Sequence, residues 1–425
     1  MTVRRRRLAL SIVSVLALAV ACTGGDGDSP ATAGGQELKI GLLTPQKGPN
    51  AAAGREAQHG AQLAVDVING LNPSIPLPLA AKAGLPNLGG AKVTLVTADA
   101  AAKTDAQVTA GDAINKLVST DGVNALIGAY DPQVTEYASQ RSERYEIPFV
   151  NGDSPATFLT DAGRDWFFRI GPSWRTSGES FFSLLREMKA KTGKIAIYYA
   201  DDKAGNDIVS TVKELAAEGG AGTVKGFPYA EAGTNIGDTV DKVKAFNPDA
   251  LFLYVTPATV NATLTSFAVR QYKPPAAMGF SLGYLNAGDF ARAAGAANGL
   301  LRAVSWSTET AERNKAGQAI AALYLRRFNS PMTEAAASSF TAVMTVAQAA
   351  NNAGSVQNQR IRSALLSLDV PGEQTVMPWA GIQFDETHQN VLAQSLVEQY
   401  LNGAFRIVYP SDSTDANIRA EYPAP

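Results

Sequence analysis

Short runs of β-branched and aliphatic residues alternate with longer amphipathic stretches from Leu38 onward. Between the runs, apolar residues recur at spacings of four and three, as at Ile208, Val212 and Leu215, which predicts helices with one buried face. Alternating strands and helices are typical of parallel sheets covered by helices. The predicted strands are Leu38 to Leu43, Val93 to Val96, Ala125 to Gly128, Ile195 to Tyr199, Val224 to Phe227, Ala250 to Val255 and Ala276 to Gly279.

The pattern changes after about residue 312, where long alanine-rich stretches predict three helices and then a tail rich in strands. The helices are predicted at Glu312 to Phe328, Glu334 to Asn352 and Gln357 to Leu368. Two series of strands and helices, followed by helices and returning strands, favour two α/β lobes over one continuous sheet. Ligands bind beyond the carboxyl ends of the strands in such sheets, so two facing lobes predict a cleft between them.

The amino terminus has the features of an export signal. Arg4 to Arg7 precede an apolar run from Leu8 to Ala21, which is too short to span a bilayer permanently. The run ends in Leu18-Ala19-Val20-Ala21-Cys22, which resembles a bacterial lipobox although leucine is usual where Ala19 stands. We expect residues 1–22 to form a lipoprotein signal peptide with a lipidated Cys22, and residues 23–36 to form a flexible tether. An ordinary cysteine in a secretory leader is the alternative.

Charge narrows the possible partners. Without Arg4 to Arg7 the balance falls from 37 basic against 39 acidic residues to 33 against 39, a net charge of about −6. The mature chain also lacks a long basic run. We therefore expect no nucleic-acid partner and no contact with the membrane except through the lipid anchor.

One motif favours catalysis. Residues 279–283 read Gly-Phe-Ser-Leu-Gly, the G-x-S-x-G pattern of a nucleophile elbow, with Asp369 and His388 downstream in the order of a serine hydrolase. A chain with 38 glycines produces such a pentapeptide easily by chance, and the flanking glycines predict a loop where the elbow needs a helix. His59 and His388 are isolated, without the partners of a metal site. We expect no catalytic residue, metal or cofactor; a serine hydrolase using Ser281 is the alternative.

Several motifs in order resemble one family. The resemblance covers about Glu37 to Pro410, and many weak matches in the right order make chance a poor explanation. It is carried by Gly41 to Pro45, Gly48-Pro49, Gly60 to Val65, Val123 to Gly128, Ile147 to Val150, Trp166 to Arg169, Asn247 to Leu253, Gly381 to Asp385 and Gln389-Asn390. In this order the chain resembles the Leu/Ile/Val-binding-protein-like family of type I periplasmic binding proteins.

The resemblance implies two Rossmann-like lobes joined by three crossovers. The amino lobe would comprise residues 37–171 and 307–394, and the carboxyl lobe residues 172–306 and 395–425. It also implies a monomeric, extracytoplasmic protein that hands a small polar ligand to the permease subunits of an ABC importer by hinge closure. A receptor of the same fold that senses its ligand without transport is the alternative. The long proline-containing stretch from Asn72 to Leu88 departs from the family pattern and reads as a surface excursion.

The resemblance also indicates where the ligand would lie. Amino-acid binders of the family hold their ligand with small hydroxyl residues after two successive strands, where this chain has Tyr130-Asp131-Pro132 and Asn151 to Pro155. Pro132 and Pro155 bring neither a hydroxyl nor an N–H. Ala53 and Ala204 stand at two aromatic wall positions, so a plain aliphatic α-amino acid is a poor candidate. Amino-acid-like compounds, amides, urea-like compounds and small aromatic acids stay open.

Two carboxylates are the sharpest candidates for ligand contact. Asp131 follows the predicted strand Ala125 to Gly128, and Asp153 follows the next strand that the resemblance implies. A carboxylate inside a closed cleft needs a cationic or donating partner. The alternative for Asp131 is a cap on the helix that begins near Val134. The full predicted ligand-binding set is Tyr130, Asp131, Asp153, Ser154, Trp174, Asp202, Thr256 and Ser281.

Overall fold

Two open sheets organise the chain in a computed structural model that describes residues 37–101, 105–230, 232–280, 297–414 and 418–424. The strands of the first sheet are β1 (Leu38–Thr44), β2 (Val93–Asp99), β3 (Ala125–Gly128), β4 (Phe149–Asn151) and β5 (Phe167–Arg169). Those of the second are β6 (Lys194–Ala200), β7 (Thr223–Tyr229), β8 (Ala250–Tyr254), β9 (Ala277–Gly279), β10 (Leu301–Val304), β13 (Leu396–Leu401) and β14 (Ala404–Tyr409). A small hairpin pairs β11 (Asp369–Pro371) with β12 (Gly381–Gln383).

Helices connect and cover these strands. In chain order they are α1 (Ala51–Asn69), α2 (Ala106–Asn115), α3 (Pro132–Tyr145), α4 (Phe158–Asp161), α5 (Trp174–Glu187), α6 (Lys203–Glu218), α7 (Ile236–Phe246), α8 (Val260–Val269), α9 (Thr308–Ala311), α10 (Lys315–Phe328), α11 (Glu334–Ala353) and α12 (Asn358–Leu366). Most long helices bury one apolar stripe, as Ile208, Val212 and Leu215 do in α6.

Both sheets are wound in the manner of nucleotide-binding folds. The first has the order β2-β1-β3-β4-β5 and is parallel throughout. The second has the order β14-β13-β10-β9-β8-β6-β7, in which β6 to β10 are parallel and β13 and β14 run antiparallel. The predicted fold class, α/β with two Rossmann-like halves, is confirmed.

The chain passes between the sheets at three places. It leaves β5 for β6, returns after β10 to helices that pack on the first sheet, and leaves again after β12 for β13. The central helix of the returning segment is α11, which contacts β1, β3 and β4 and packs along α1. Gly60 permits that close approach, because a Cβ there would lie 2.0 Å from the backbone oxygen of Ala336. The residue limits of the two lobes stay a prediction.

Some elements differ from the sequence predictions. The short strands β4, β5 and β10 were not predicted. Three or four residues carry no readable period, although β3 and β9, which are as short, were predicted as apolar runs. The helix predicted from Glu312 begins at Lys315, where the Asn314 side chain accepts from the N–H groups of Ala316 and Gly317.

The stretch from Asn72 to Leu88 is not a mere surface excursion, and that prediction was wrong. Leu77, Leu79 and Leu85 are buried in the same apolar core as the first sheet and α11. Leucines spaced through a proline-containing segment can anchor it with little regular structure, here only the 3-10 helix Pro86–Leu88, because burial of each side chain stabilises the segment by itself.

Several predictions concern residues outside the described ranges. Cys22, the leader, the tether at 23–36 and Ser281 belong to this group. None of the described helices combines the length and the hydropathy that a membrane span requires.

Candidate functional site

The carboxyl ends of the strands in the two sheets border one cleft of about 880 Å3. From the first sheet it is lined by residues that follow β1, β3 and β4, including Ala53, Tyr130 and Asp153. From the second sheet it is lined by residues that follow β6 and β8, including Ala204 and Thr256. The cleft therefore lies where open α/β sheets bind ligands.

Asn151, the last residue of β4, ties two of these loops together. Its Nδ2 donates to the backbone oxygens of Gly128 and Ala129 at 2.7 and 3.0 Å, and its Oδ1 accepts from the Ser154 N–H at 3.0 Å. The side chain is fully buried. These hydrogen bonds hold the loop that carries Tyr130 and Asp131 beside the loop that carries Asp153.

A buried arginine holds the loop that follows β4 and carries Asp153. Arg169, at the end of β5, donates from Nε to Gln389 at 2.6 Å, from Nη2 to Thr160 Oγ1 at 2.9 Å, and from Nη1 to the Ala156 backbone oxygen. Burial lowers the pKa of Arg169 to about 10, and the carboxylates of Asp161 and neighbouring residues oppose that shift. At neutral pH the guanidinium stays charged and holds the chain that follows Asp153 in place.

Asp131 caps a helix. Its Oδ1 accepts from the N–H groups of Gln133 and Val134 at 2.9 and 3.0 Å, and Pro132 occupies the first turn of α3. Burial raises the pKa of Asp131, and the two backbone donors lower it. The cap was the alternative assignment for this residue, and Asp131 lines the cleft as well.

Asp153 is different, because its side chain makes no hydrogen bond or ion pair with any described residue. Burial, reinforced by the nearby Glu334 carboxylate, raises the pKa of Asp153 to about 7. A carboxylate in this position lacks a counter-charge and costs free energy when it ionises. Among the acidic residues of the described lining, Asp153 is thus the one that has neither a hydrogen-bond donor nor a cation as its partner.

Tyr130 stands among the same acidic groups. Burial raises the pKa of Tyr130, and the charges of Glu334, Asp153 and Asp131 raise it further. The phenol therefore keeps its proton at all physiological pH values and presents an O–H donor to the cleft.

The second sheet contributes Trp174, Asp202 and Thr256 to the lining. Trp174 begins α5, is 1% exposed, and packs edge to face on Tyr254 with ring centroids 5.7 Å apart. Asp202 caps α6 by accepting from the Gly205 N–H at 2.6 Å. The Thr256 hydroxyl lies 3.0 Å from that of Thr259.

Two of the predicted ligand-binding residues do not line the described cleft. Ser154 is 1% exposed and is absent from the lining, while Ser281 lies outside the described residues. The structure thus brings six of the eight together, and their roles as ligand contacts stay predictions. Pro132, Pro155, Ala53 and Ala204 also line the cleft, so the departures from the family pattern fall in the site.

An ion pair that the sequence did not predict also lines the cleft. Arg302 of β10 donates from Nη2 and Nε to Glu398 of β13 at 2.7 and 2.8 Å, and its guanidinium stacks on Phe405. Glu334, at the start of α11, accepts from the Ser305 N–H. Burial raises the pKa of Glu334 and of Glu398, and Arg302 lowers both.

These residues were missed because no local signal marks them. Arg302 and Glu398 are 96 positions apart and meet only through the pairing of β10 with β13. Glu334 was predicted as a helix start, which is correct, but an acidic first residue is common at helix ends for reasons unrelated to ligands.

The residues of the enzyme alternative do not form a described catalytic set. His388 is 6% exposed, stacks on Phe168, and places Nδ1 3.1 Å from the Phe167 backbone oxygen, and it does not line the cleft. Among the described residues no group of three histidine, cysteine or acidic side chains is placed to hold a metal ion.

Comparison with known protein families identifies the family of this chain. The Periplasmic binding protein family model matches residues 37–400. The chain belongs to this family. The match spans both sheets and every described residue that lines the cleft except Phe405.

Individual periplasmic binding proteins support the assignment. The Leu/Ile/Val-binding protein homolog 7 of Brucella suis biovar 1 is 24% identical over 97% of this chain and 98% of its own length. A substrate-binding protein of an ABC transporter from Desulfitobacterium hafniense, solved with Leu, superimposes with a TM-score of 0.71 at 20% identity, covering 88% of this chain and all of its own.

A second solved structure broadens the range of ligands among the neighbours. The solute binding protein of an ABC transporter from R. palustris, in complex with benzoate, has a TM-score of 0.71 at 16% identity and covers 90% of this chain and all of its own. The resemblance to the Leu/Ile/Val-binding branch is confirmed, and the relatives and neighbours are solute-binding proteins rather than enzymes. The family implies an extracytoplasmic location.

Proposed function

We propose that this chain is a lipid-anchored, extracytoplasmic receptor that captures a small polar ligand and delivers it to an ABC importer. One observation carries the proposal: a cleft of about 880 Å3 lies between the carboxyl ends of two doubly wound sheets. That volume suits a metabolite rather than a macromolecule. The lining offers several donors, acceptors and aromatic rings, and no described group placed for covalent chemistry.

The mechanism is a hinge motion in which the half of the protein built on the first sheet closes on the half built on the second. A ligand that bridges both halves stabilises the closed form by its differential affinity for it. Tyr130 and Asp153 lie on one side of the cleft, whereas Trp174 and Thr256 reach it from the other side. The closed form, with the ligand enclosed, is then the one that docks on the permease.

Calorimetry with the purified mature chain tests capture without chemistry. A thermal-shift screen over amino acids, amides, aromatic acids and amines comes first, since ligand at about 100 times its Kd adds about 2.7 kcal/mol to the free energy of unfolding. We expect one hit to titrate with one site per chain and to be recovered chemically unchanged. Conversion of the compound by the protein, or no saturable binding in the whole screen, would contradict the proposal.

Replacing Cys22 by serine tests the anchor. We expect the wild-type chain to be found in the membrane fraction and the Cys22→Ser chain in the soluble extracytoplasmic fraction, because Cys22 is the only cysteine that a diacylglycerol thioether can form on. Mass spectrometry of the mature amino terminus gives the second readout. A wild-type chain with an unmodified amino terminus beyond residue 22 would show that the leader is an ordinary secretory signal.

A further inference from the structure

Acidic groups dominate the described lining of the cleft. It contains seven carboxylates and one basic side chain, Arg302. The seven are Glu56, Asp131, Asp153, Asp202, Glu309, Glu334 and Glu398. A surface of this composition attracts cations and repels anions, and the low dielectric of a cleft strengthens both effects.

Most of these carboxylates already have donors within the protein, and one does not. The pairs are Glu56 with the Tyr324 hydroxyl, Asp131 with the Gln133 and Val134 N–H groups, Asp202 with the Gly205 N–H, Glu309 with Arg406, Glu334 with the Ser305 N–H and Glu398 with Arg302. Asp153 has no such partner among the described residues. The Glu334 charge faces Asp153 as well, so the pair leaves a negative region for a ligand to neutralise.

A buried donor in the same cleft is independent of the acidic groups. Trp174 lines the cleft from the second sheet, and its Nε1 is buried without a hydrogen-bond acceptor. A buried N–H without an acceptor is costly in a folded protein, and ligand-binding sites are one place where such a group is kept. An ether, carbonyl or hydroxyl oxygen of a ligand would satisfy it.

The described lining contains one cation that could bind a ligand carboxylate, and that cation already has a partner. Arg302 is already paired with Glu398 and stacked on Phe405. Pro132 and Pro155 occupy the positions where the sequence resemblance leads one to expect hydroxyl donors, and both line the cleft. A ligand carboxylate placed near Asp153 and Glu334 would meet like charge without a compensating cation.

We infer that the ligand of this cleft is a small organic cation, an amine, amidine or guanidine without a carboxylate beside the cationic group. The cation lies between Asp153 and Glu334, and an oxygen elsewhere on the ligand accepts from the Trp174 indole N–H. This inference rests on the proposed function, since it names the ligand class of that same site. It distinguishes the chain from neighbours that were solved with leucine or benzoate.

Matched pairs of compounds test the charge requirement directly. Leucine is paired with 3-methylbutylamine and arginine with agmatine, amines that lack only the carboxyl group. Benzoate is paired with benzylamine, in which an aminomethyl group replaces the carboxylate. Titration calorimetry of the wild-type chain is expected to give at least a tenfold lower Kd for the amine member of a pair. The inference is overturned if any carboxylate member binds as tightly as its amine. It is also overturned if none of the three amines binds at about 10 mM.

Variants then locate the cation. Asp153→Asn keeps the shape of the side chain and removes its charge, and it is expected to weaken the tightest amine by about 100-fold or more. Glu187→Gln makes the same change of charge at the exposed carboxyl end of α5 and is expected to change the Kd by less than twofold. Equal effects of the two variants would assign the preference to the overall charge of the protein and overturn the site.

The outcome also separates this inference from the proposed function. If leucine or benzoate binds with one site per chain and the amines do not, the receptor function stands and the cation inference fails. If none of the six compounds binds and the wider screen also finds no ligand, both fail.

Discussion

Replacing Asp153 by asparagine is expected to raise the free energy of unfolding of the ligand-free protein by about 1–3 kcal/mol near pH 8. Burial and the Glu334 carboxylate raise the pKa of Asp153 to about 7 in the folded protein. An unfolded chain ionises the same group near pH 3.9. Ionisation of Asp153 therefore costs more free energy in the folded protein than in the unfolded chain, where water solvates the charge. Asparagine, which does not ionise, removes this difference.

The sign of the pH dependence follows from the same shift. Between about pH 4 and pH 7 the folded state binds more protons at Asp153 than the unfolded state does, so this group's contribution to stability is present below pH 4 and is lost as the pH rises through 7. The charged neighbour of Asp153 is Glu334 from α11, and Glu334 in turn interacts with Arg302 and Glu398. Asp131, from the loop after β3, acts with Asp153 on Tyr130. Tyr130 stays protonated throughout this range.

Urea unfolding at two pH values provides the measurement. The Asp153→Asn protein should match the wild type near pH 4 and exceed it near pH 8, whereas Glu187→Gln should follow the wild type at both. A variant that is no more stable than the wild type near pH 8 would mean that Asp153 has a counter-charge in the folded protein. The same variant is expected to lose ligand affinity, so stability and binding should move in opposite directions, which is typical of a binding residue.

Replacing Arg302 by methionine is expected to lower the free energy of unfolding by about 3–5 kcal/mol. The side chains of Arg302 and Glu398 are 12% and 6% exposed, and the guanidinium also faces Glu334. Methionine keeps apolar contact with Phe405 and removes the charge that offsets two buried carboxylates. The carboxylates must then protonate or draw in water, and both responses cost stability.

A double variant separates charge from packing in this prediction. Removing both charges together, with Arg302→Met and Glu398→Met, is expected to recover a large part of the loss, because an apolar pair can replace a buried ion pair. Urea denaturation of the two single variants and the double variant completes the cycle. A loss below about 1 kcal/mol for Arg302→Met would show that solvent already screens the pair.

The sequence predicted the sheets better than the site. Long strands such as β1 and β6 were recognised from continuous apolar runs, since strands buried on both faces need them. The short strands β4 and β5 were not recognised, although the loop after β4 carries Asp153. Each has three residues, too few to show a period. Each is a strand through its neighbour, since β4 pairs with β3 and β5 pairs with β4.

Asp131 and Asp153 show how the residues that follow an aspartate predict whether it caps a helix. Asp131 precedes Pro132 and a helix, the arrangement of a capping residue, and the structure makes it one. Asp153 precedes Ser154 and Pro155 with no helix until Phe158. The residues after each aspartate therefore distinguish a carboxylate that caps a helix of its own chain from one that makes no such hydrogen bond.

Contacts between residues far apart in the sequence were out of reach of any local rule. Glu334 approaches Asp153 because α11 returns to the first sheet after the chain has built most of the second. The charge nearest to Asp153 is thus set by the order of the crossovers. Sequence patterns give the elements, and the tertiary path decides which side chains share a cleft.

Closure of the cleft around its ligand is the central claim, and a distance across the cleft tests it most directly. Ala52, at the start of α1, and Ala258, after β8, are exposed and border the cleft from opposite sheets. With Cys22 replaced by serine, spin labels at Ala52→Cys and Ala258→Cys report this distance by pulsed electron resonance. We expect the distribution to move to shorter distances when the compound that binds most tightly in calorimetry is added. A distribution unchanged at saturating ligand would contradict hinge closure.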